Sequence, residues 1–84
     1  MATKLQKKVV RILKEEMPDI KAFFEPTDSG LVTGAVVSRR FARMQFLQRQ
    51  RLLQRVLRKG LTADENQKVG TIAALTPAEA EVPA

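Results

Sequence analysis

The feature that most constrains the fold is a short apolar run, LVTGAVVS at residues 31–38, which lies between two longer segments with helical periodicity. Its apolar density predicts a central strand that is covered on at least one face. Residues 19–25 alternate with a period of two and predict another strand. The intervening residues 26–30, PTDSG, have turn chemistry, so the two strands are predicted to form an antiparallel hairpin.

Two amphipathic segments, residues 3–17 and 46–59, are predicted to be helices. Thr3 and Gln6 have capping-box spacing at the start of the first helix. Pro18 ends that helix, because the residue before a proline avoids the α region. Each helix has one apolar stripe with basic side chains on the other side. The stripes are formed by Leu5, Val9, Ile12, Leu13 and Met17 in the first helix, and by Phe46, Leu52, Leu53, Val56 and Leu57 in the second.

Two residues of the second helical segment need a separate explanation. Arg49 falls inside the apolar arc, so we expect it to pair with a backbone carbonyl or an acidic residue there, or the helix to bend. Gly60 is predicted to cap the C-terminus of the helix.

A third apolar run, VGTIAAL at residues 69–75, is most simply a strand that is parallel to the second one, because a helix connects them. The order α-β-β-α-β predicts an α+β fold in a single small domain, with a three-stranded mixed sheet and two helices on one face. We expect this domain to span residues 1–76. Residues 77–84 are rich in Pro, Ala and Glu and are predicted to form a flexible C-terminal tail.

The basic charge is concentrated in two segments. The net charge of the chain is +6, but residues 1–14 hold five basic residues and residues 39–59 hold eight, with no acidic residue in either segment. Arginine has a planar fork that suits phosphate and carboxylate groups. The pattern therefore favours either an anion or nucleic-acid surface or a solvated helix face. The candidate nucleic-acid contacts are Arg39, Arg40, Arg43, Arg51, Arg55, Arg58 and Lys59.

The composition favours a binding module over an enzyme. The 84 residues include no cysteine and no histidine, which removes disulfides, thiolate and imidazole ligands and the usual general base. We expect no cofactor and no metal. Ser29 and Ser38 are predicted to make turn or capping hydrogen bonds rather than a nucleophilic dyad. Gly30 and Gly34 are predicted to serve turn geometry and close strand packing.

The aromatic residues offer little for base stacking, since tryptophan and tyrosine are absent. The four phenylalanines, Phe23, Phe24, Phe41 and Phe46, are predicted to be core residues. Binding to nucleic acid would then be mainly electrostatic and sensitive to salt. No apolar stretch approaches the length that spans a bilayer, and no signal peptide is recognised, so we expect a cytoplasmic protein.

In its order of elements and in four short motifs the chain resembles the BolA family. The motifs are Gly34-Ala35-Val36-Val37-Ser38, then Phe41, then Arg49-Gln50-Arg51-Leu52-Leu53, and finally Leu75-Thr76-Pro77-Ala78-Glu79. The resemblance implies a fold related to class II KH domains and a regulatory role in stress response and transcription. It also implies DNA binding, as in some members, or partnership with a monothiol glutaredoxin.

The sequence departs from the family pattern at the positions that carry iron–sulfur chemistry. The family's Arg-His-Arg is Arg49-Gln50-Arg51 here, and its turn glycine is Arg43. Lys68 lies at or near the cluster-ligating histidine, and residues 27–29 of the hairpin loop are Thr, Asp and Ser. Because thiolate and imidazole are the usual ligands, we expect the chain not to ligate a cluster in the family's manner.

Three functional hypotheses follow. The first is a BolA-like binding module that contacts nucleic acid through the basic face of the second helix. The second is an adaptor for a monothiol glutaredoxin-like partner. The third, in which the first helix binds an anionic membrane or builds an oligomer, ranks last because its apolar stripe is needed to cover the sheet. We expect no membrane partner and no small-molecule substrate.

Overall fold

A computed structural model describes residues 3–25 and 29–81 of the protein. Within these residues the chain forms helix α1, two strands, a 3₁₀ turn, helices α2 and α3, a third strand and a short helix α4. The bounds are α1 Lys4–Glu16, β1 Lys21–Glu25, β2 Val32–Val37, the 3₁₀ turn Arg39–Phe41, α2 Phe46–Gly60, α3 Ala63–Gln67, β3 Val69–Leu75 and α4 Pro77–Ala80.

The three strands form one mixed sheet in the order β1-β2-β3. β1 is antiparallel to β2, with Phe23 opposite Ala35. β2 is parallel to β3, with Ala35 opposite Ala73. The prediction of a three-stranded mixed α+β sheet is therefore confirmed.

The core lies between one face of this sheet and the two long helices. The sheet contributes side chains such as Val36 and Ile72, and the helices contribute side chains such as Leu13 and Leu53. Phe41 joins the core from the 3₁₀ turn and is fully buried. Because β-strand side chains alternate between faces, the opposite face of the sheet carries the other set of residues, which includes Phe23, Ala35 and Ala73.

The first helix begins as the sequence predicts. The Thr3 hydroxyl accepts a hydrogen bond from the Gln6 backbone N–H, and the Gln6 side chain accepts one from the Thr3 backbone N–H. This capping box satisfies two backbone donors that the first turn leaves unpaired. The helix ends at Glu16, with Met17 as its C-cap before Pro18.

The prediction that Gly60 caps α2 is wrong. The helix continues through Gly60, and its C-cap is Leu61 with a φ of −107°. A Cβ atom at Gly60 would lie 2.6 Å from Cδ1 of Ile12 on α1. The glycine is therefore used to let the two helices approach closely rather than to provide a left-handed turn.

Gly34 meets the expectation of close strand packing. Its φ is +148°, and a Cβ atom there would collide with the backbone of Phe23 on β1. Gly30, with a φ of +77°, occupies the end of the predicted hairpin turn. The rest of that turn, residues 26–28, lies outside the described residues.

Helix α3 was not predicted from the sequence. Thr62 and Glu65 form a capping box at its start, but the five residues of the helix carry no apolar stripe that would reveal it. The Lys8 ammonium on α1 donates a hydrogen bond to Glu65 over 2.7 Å. The pKa of Glu65 is lowered, first by this bond and then by the Thr62 backbone N–H.

The structure also differs from the sequence expectation after β3. Residues Pro77–Ala80 form α4, which begins with a capping box between Thr76 and Glu79. Residues 82–84 of the predicted tail lie outside the described residues. The division of the chain at residue 76 stays a prediction. Within residues 3–25 and 29–81, no helix has both the length and the apolar character to cross a membrane.

Candidate nucleic-acid interface

Four of the seven predicted contacts lie on one exposed face of α2. Arg51, Arg55, Arg58 and Lys59 are all exposed, whereas the neighbouring residues 52, 53, 56 and 57 are buried in the core. Arg55 and Lys59 follow Arg51 by four and eight positions, and Arg58 follows Arg55 by three. These spacings place the four side chains on the same side of the helix. At a rise of about 1.5 Å per residue, the stripe runs for roughly 12 Å along the helix. We call these four side chains the α2 cationic stripe.

The α2 cationic stripe is not neutralised within the described part of the chain. Residues 46–60 contain no acid. None of the ion pairs within residues 3–25 and 29–81 includes a member of the stripe. Glu15 and Glu16 at the end of α1 line the groove between the helices together with Arg55 and Lys59. The acidic end of α1 therefore flanks one side of the stripe without pairing with it.

Arg39 and Arg40 lie in a different environment from the stripe. The Arg39 guanidinium lies 3.7 Å from the Asp19 carboxylate, and the Arg40 guanidinium lies 3.7 Å from that of Glu16. Both arginine side chains remain exposed to solvent. The structure thus brings them to acidic residues and does not place them in the α2 cationic stripe.

Asp19 holds the backbone that carries these two arginines. Its carboxylate accepts hydrogen bonds from the Arg39 backbone N–H at 2.8 Å and from the Ser38 hydroxyl at 2.7 Å. The Ser38 hydroxyl in turn accepts a bond from the Arg40 backbone N–H. The Arg39 backbone bond, followed by the Ser38 bond, lowers the pKa of Asp19. Ser38 therefore has a capping role, as predicted.

Arg43 has an unusual backbone. Its φ is +71°, in the left-handed region that favours glycine, and its side chain is exposed. For a residue with a Cβ atom this conformation costs about 1–2 kcal/mol. The chain places a flexible cation in the loop before α2 in spite of this cost.

Arg49 is part of the same helix but is directed into the fold. Its guanidinium donates hydrogen bonds to the Met44 carbonyl at 2.9 Å, the Ala74 carbonyl at 3.0 Å and the Glu79 carboxylate at 2.7 Å. Its side chain is only 14% exposed. The expectation of a carbonyl or acidic partner is confirmed, and both kinds are present. The bonds from the Thr76 backbone N–H and from Arg49 lower the pKa of Glu79.

The prediction that all four phenylalanines belong to the core is wrong for two of them. Phe41 is buried and Phe24 packs against the core, but Phe23 is 60% exposed and Phe46 is 70% exposed. Leu47, next to Phe46, is 65% exposed. Phe46 begins α2, ahead of the residues that contact the sheet, and Phe23 points to the face without long helices. Hydrophobicity in the sequence did not distinguish these positions from core positions.

The comparisons with known proteins support one architecture. No family model and no curated protein matches the sequence. Among solved structures, BolA1 from Arabidopsis thaliana superimposes with a TM-score of 0.67 at 20% sequence identity. The match covers 98% of this chain and 100% of that chain. This protein has the BolA fold.

Arg43 is one departure from the BolA sequence pattern, because it stands at the position of a turn glycine. The resemblance implies a glycine at this turn, and the turn keeps the positive φ that glycine would supply. In Arg49-Gln50-Arg51, the outer residues have different roles: Arg49 binds the carbonyl groups of the fold and Arg51 belongs to the α2 cationic stripe. Between them, the Gln50 amide donates a hydrogen bond to the Ile72 carbonyl.

The side chains present do not fit an iron–sulfur cluster. Lys68, which stands at or near the family's histidine, is exposed and follows α3 as its C-cap. Its ammonium form has no lone pair for a metal, and the chain has no cysteine or histidine to replace it. In the described parts of the chain, no group of three or more acidic residues is placed to hold a metal ion either. Residues 27 and 28 lie outside the described residues.

Proposed function

We propose that this protein is a non-enzymatic regulatory binding module of the BolA type, which contacts the phosphate backbone of nucleic acids in the cytoplasm. The observation that carries the proposal is the α2 cationic stripe. Its four exposed cations share one helix face and have no ion-pair partner within residues 3–25 and 29–81. Clustered cations repel one another, and an external polyanion removes that repulsion.

The mode of contact follows from the side chains. Arginine and lysine bind phosphate groups, which positions a protein on the nucleic acid but does not read its sequence. Arg39, Arg40 and Arg43 add exposed basic side chains in the segment before the helix. Their contribution is smaller for Arg39 and Arg40, because each of these faces an acidic residue of the protein.

Phe46 and Leu47 add exposed apolar side chains at the start of the helix that carries the cations. Leu47 lies four residues before Arg51, on the same side of α2. Base stacking on an aromatic side chain contributes about 1–3 kcal/mol per base. An exposed Phe46 at the start of the helix therefore favours a single strand, whose bases are accessible, over a duplex.

The test is a salt titration of binding to short labelled DNA and RNA, single- and double-stranded. Fluorescence anisotropy is suitable because the label is on the nucleic acid. We expect binding to weaken steeply with salt, since phosphate contacts release counterions. The variant pair Arg51→Ala and Arg55→Ala should lower the affinity by about tenfold and reduce the slope of log K against log salt by about 2.

The matched control removes the same charge from the other basic segment. The variant pair Arg11→Ala and Lys14→Ala changes the net charge equally on α1, and it should have a smaller effect. If both pairs weaken binding equally, the nucleic acid responds to net charge and the assignment to α2 is wrong. Absence of binding at low salt would contradict nucleic-acid binding altogether.

We propose a second candidate for the same surface, an adaptor that docks a monothiol glutaredoxin without ligating a cluster of its own. What favours a protein partner is the exposure of Phe46 and Leu47 on the same helix as the cations, since aromatic residues and arginine are enriched at protein interfaces. Co-purification with monothiol glutaredoxins from the same source tests it. Phe46→Ser should weaken a complex, with Phe23→Ser as the control on the opposite side of the sheet. Absence of any complex would contradict it.

A further inference from the structure

The edge of the sheet at β1 has properties that the proposed function does not use. β1 pairs with β2 along one edge, and its other edge pairs with no strand among residues 3–25 and 29–81. The outward-facing residues of the strand are Lys21, Phe23 and Glu25, all of them exposed. An open strand edge is a template for pairing with another strand, which monomeric proteins usually block.

The order of these three residues is self-complementary. If two copies of β1 pair antiparallel about a two-fold axis at Phe23, Lys21 of each copy lies opposite Glu25 of the other. Phe23 then lies opposite its own equivalent. The pairing places two opposite-charge pairs on either side of an aromatic pair, which are favourable cross-strand neighbours. In a parallel pairing in register, each charge would instead face its like.

The two residues on the helical side of β1 also match by size. The same two-fold axis places Ala22 opposite Phe24, so that a small side chain meets a large one on both sides of the axis. Both residues are half-buried. They line an open groove between β1 and α1, together with Val10. This groove leaves space on the helical side for an approaching strand.

We propose that β1 is a dimerisation edge, at which a second copy of this chain adds its own β1 to form a continuous six-stranded sheet. The interface is isologous, since the same strand is used by both copies. The exposed Phe23, which the monomer leaves 60% exposed, becomes the centre of the interface. The charge of +6 on each copy opposes association at low ionic strength. Physiological salt, with a screening length of about 8 Å, reduces this repulsion.

A charge-swap experiment tests the proposal on the full chain in the absence of nucleic acid, so that its outcome is independent of the proposed function. Sedimentation equilibrium at physiological salt measures the dimer dissociation constant. Lys21→Glu and Glu25→Lys each create like-charge pairs on both sides of the axis, and each should weaken the dimer by about tenfold or more. The double variant Lys21→Glu with Glu25→Lys reverses every pair and should restore the dimer.

Lys68→Glu is the matched control, because it makes the same charge change as Lys21→Glu at an exposed site outside β1. It should leave the dissociation constant unchanged apart from the effect of net charge. Circular dichroism of each variant establishes that the fold is kept. A protein that stays monomeric at high micromolar concentration would overturn the proposal. So would a dimer that is indifferent to the charge swap.

A second measurement uses the absence of cysteine from the chain. Phe23→Cys places a single thiol on the two-fold axis. Directly opposed residues have Cα atoms about 4.5–5.5 Å apart, which is within disulfide range. Mild oxidation should therefore yield a covalent dimer rapidly. Thr71→Cys on the opposite edge strand is the control and should cross-link more slowly. Equal rates at the two positions would contradict the pairing.

Discussion

Arg49 and the α2 cationic stripe occupy the same helix, but the surroundings of their guanidinium groups differ completely. Arg49 is 14% exposed and its guanidinium is bound by two backbone carbonyls and the Glu79 carboxylate. The side chains of the stripe are exposed and have no ion-pair partner within residues 3–25 and 29–81. One arginine therefore stabilises the fold, and the others are available to an external anion.

The difference shows that the residue type alone does not identify a binding arginine. A guanidinium that donates to carbonyls within the fold gains about 1.5–3 kcal/mol per charged hydrogen bond in favourable cases. An exposed guanidinium contributes little to stability, because water solvates it well in both the folded and the unfolded state. Stability and binding should consequently separate on mutation.

The largest expected effect is the loss of stability when Arg49 is removed. Arg49→Ala leaves the Ala74 and Met44 carbonyls without their donor, and we expect it to lower the free energy of unfolding by about 2–3 kcal/mol. The melting temperature of a domain of this size should fall by about 10–20 °C. Thermal unfolding followed by circular dichroism measures it. Arg49→Lys should recover part of the loss at most, because an ammonium cannot reproduce the planar fork. An unchanged melting temperature would show that the three bonds contribute nothing.

The binding side of the comparison is tested by Arg51→Glu. Neutralising Arg51 and Arg55 together is expected to lower the affinity about tenfold, which is roughly threefold per site. We expect Arg51→Glu to lower the affinity for nucleic acid by more than this single-site share, since a repulsive charge replaces an attractive one. The stability should change by no more than about 0.5 kcal/mol, because the site is exposed. Anisotropy and thermal unfolding of the same preparation provide the two readings. A variant that loses stability and binding together would remove the distinction between Arg51 and Arg49.

Acid should weaken the Arg49 contact, because one of the partners of Arg49 is the Glu79 carboxylate. The pKa of Glu79 is lowered from its ordinary value of 4.5 in the folded state. Its stabilising effect is therefore present above about pH 4.5 and is lost as the pH falls through the folded-state pKa. We expect the melting temperature to fall less between neutral and acid pH for Glu79→Gln than for the unmodified protein. Thermal unfolding at a series of pH values measures this. The control is Glu81→Gln, on the same turn but outside the Arg49 contact. Its melting temperature should fall with acid as much as that of the unmodified protein.

The smallest expected effect is at Arg43, which carries backbone strain and charge together. Arg43→Gly should raise the free energy of unfolding by about 0.5–1 kcal/mol, because glycine adopts the positive φ without a steric penalty. It should also weaken nucleic-acid binding modestly through the lost cation. Arg40→Gly is the control in the adjacent 3₁₀ turn and should lower stability. If Arg43→Gly destabilises the protein, the side chain contributes contacts that outweigh the strain.

Much of the fold could be predicted because the local signals agree with one another. The hydrophobic period of 3.6 located α1 and α2, and the apolar runs located β2 and β3. The position of Arg49 inside an apolar arc predicted a carbonyl or an acidic partner or a bend in the helix, and the structure shows both kinds of partner. Helix α3 was missed since five polar residues have no hydrophobic period, and α4 was missed because its composition is typical of a loop.

The candidate site was predictable only in part. The α2 cationic stripe follows from helical spacing, so its common face could be predicted from residues 51 to 59. The pairing of Arg39 with Asp19 and of Arg40 with Glu16 could not, because the partners are 20 and 24 positions apart in the chain. Their proximity exists only after the 3₁₀ turn has packed against the end of α1.

The sequence by itself determined the order of the elements, the side of each long helix that is apolar and the two segments that hold the basic charge. These properties are local, since each depends on periodicity or composition within one segment. The tertiary structure decided which arginines are structural, which phenylalanines are exposed and why Gly60 is needed between two helices. These depend on contacts between distant segments, because burial and pairing are set by what lies opposite a side chain once the chain has folded.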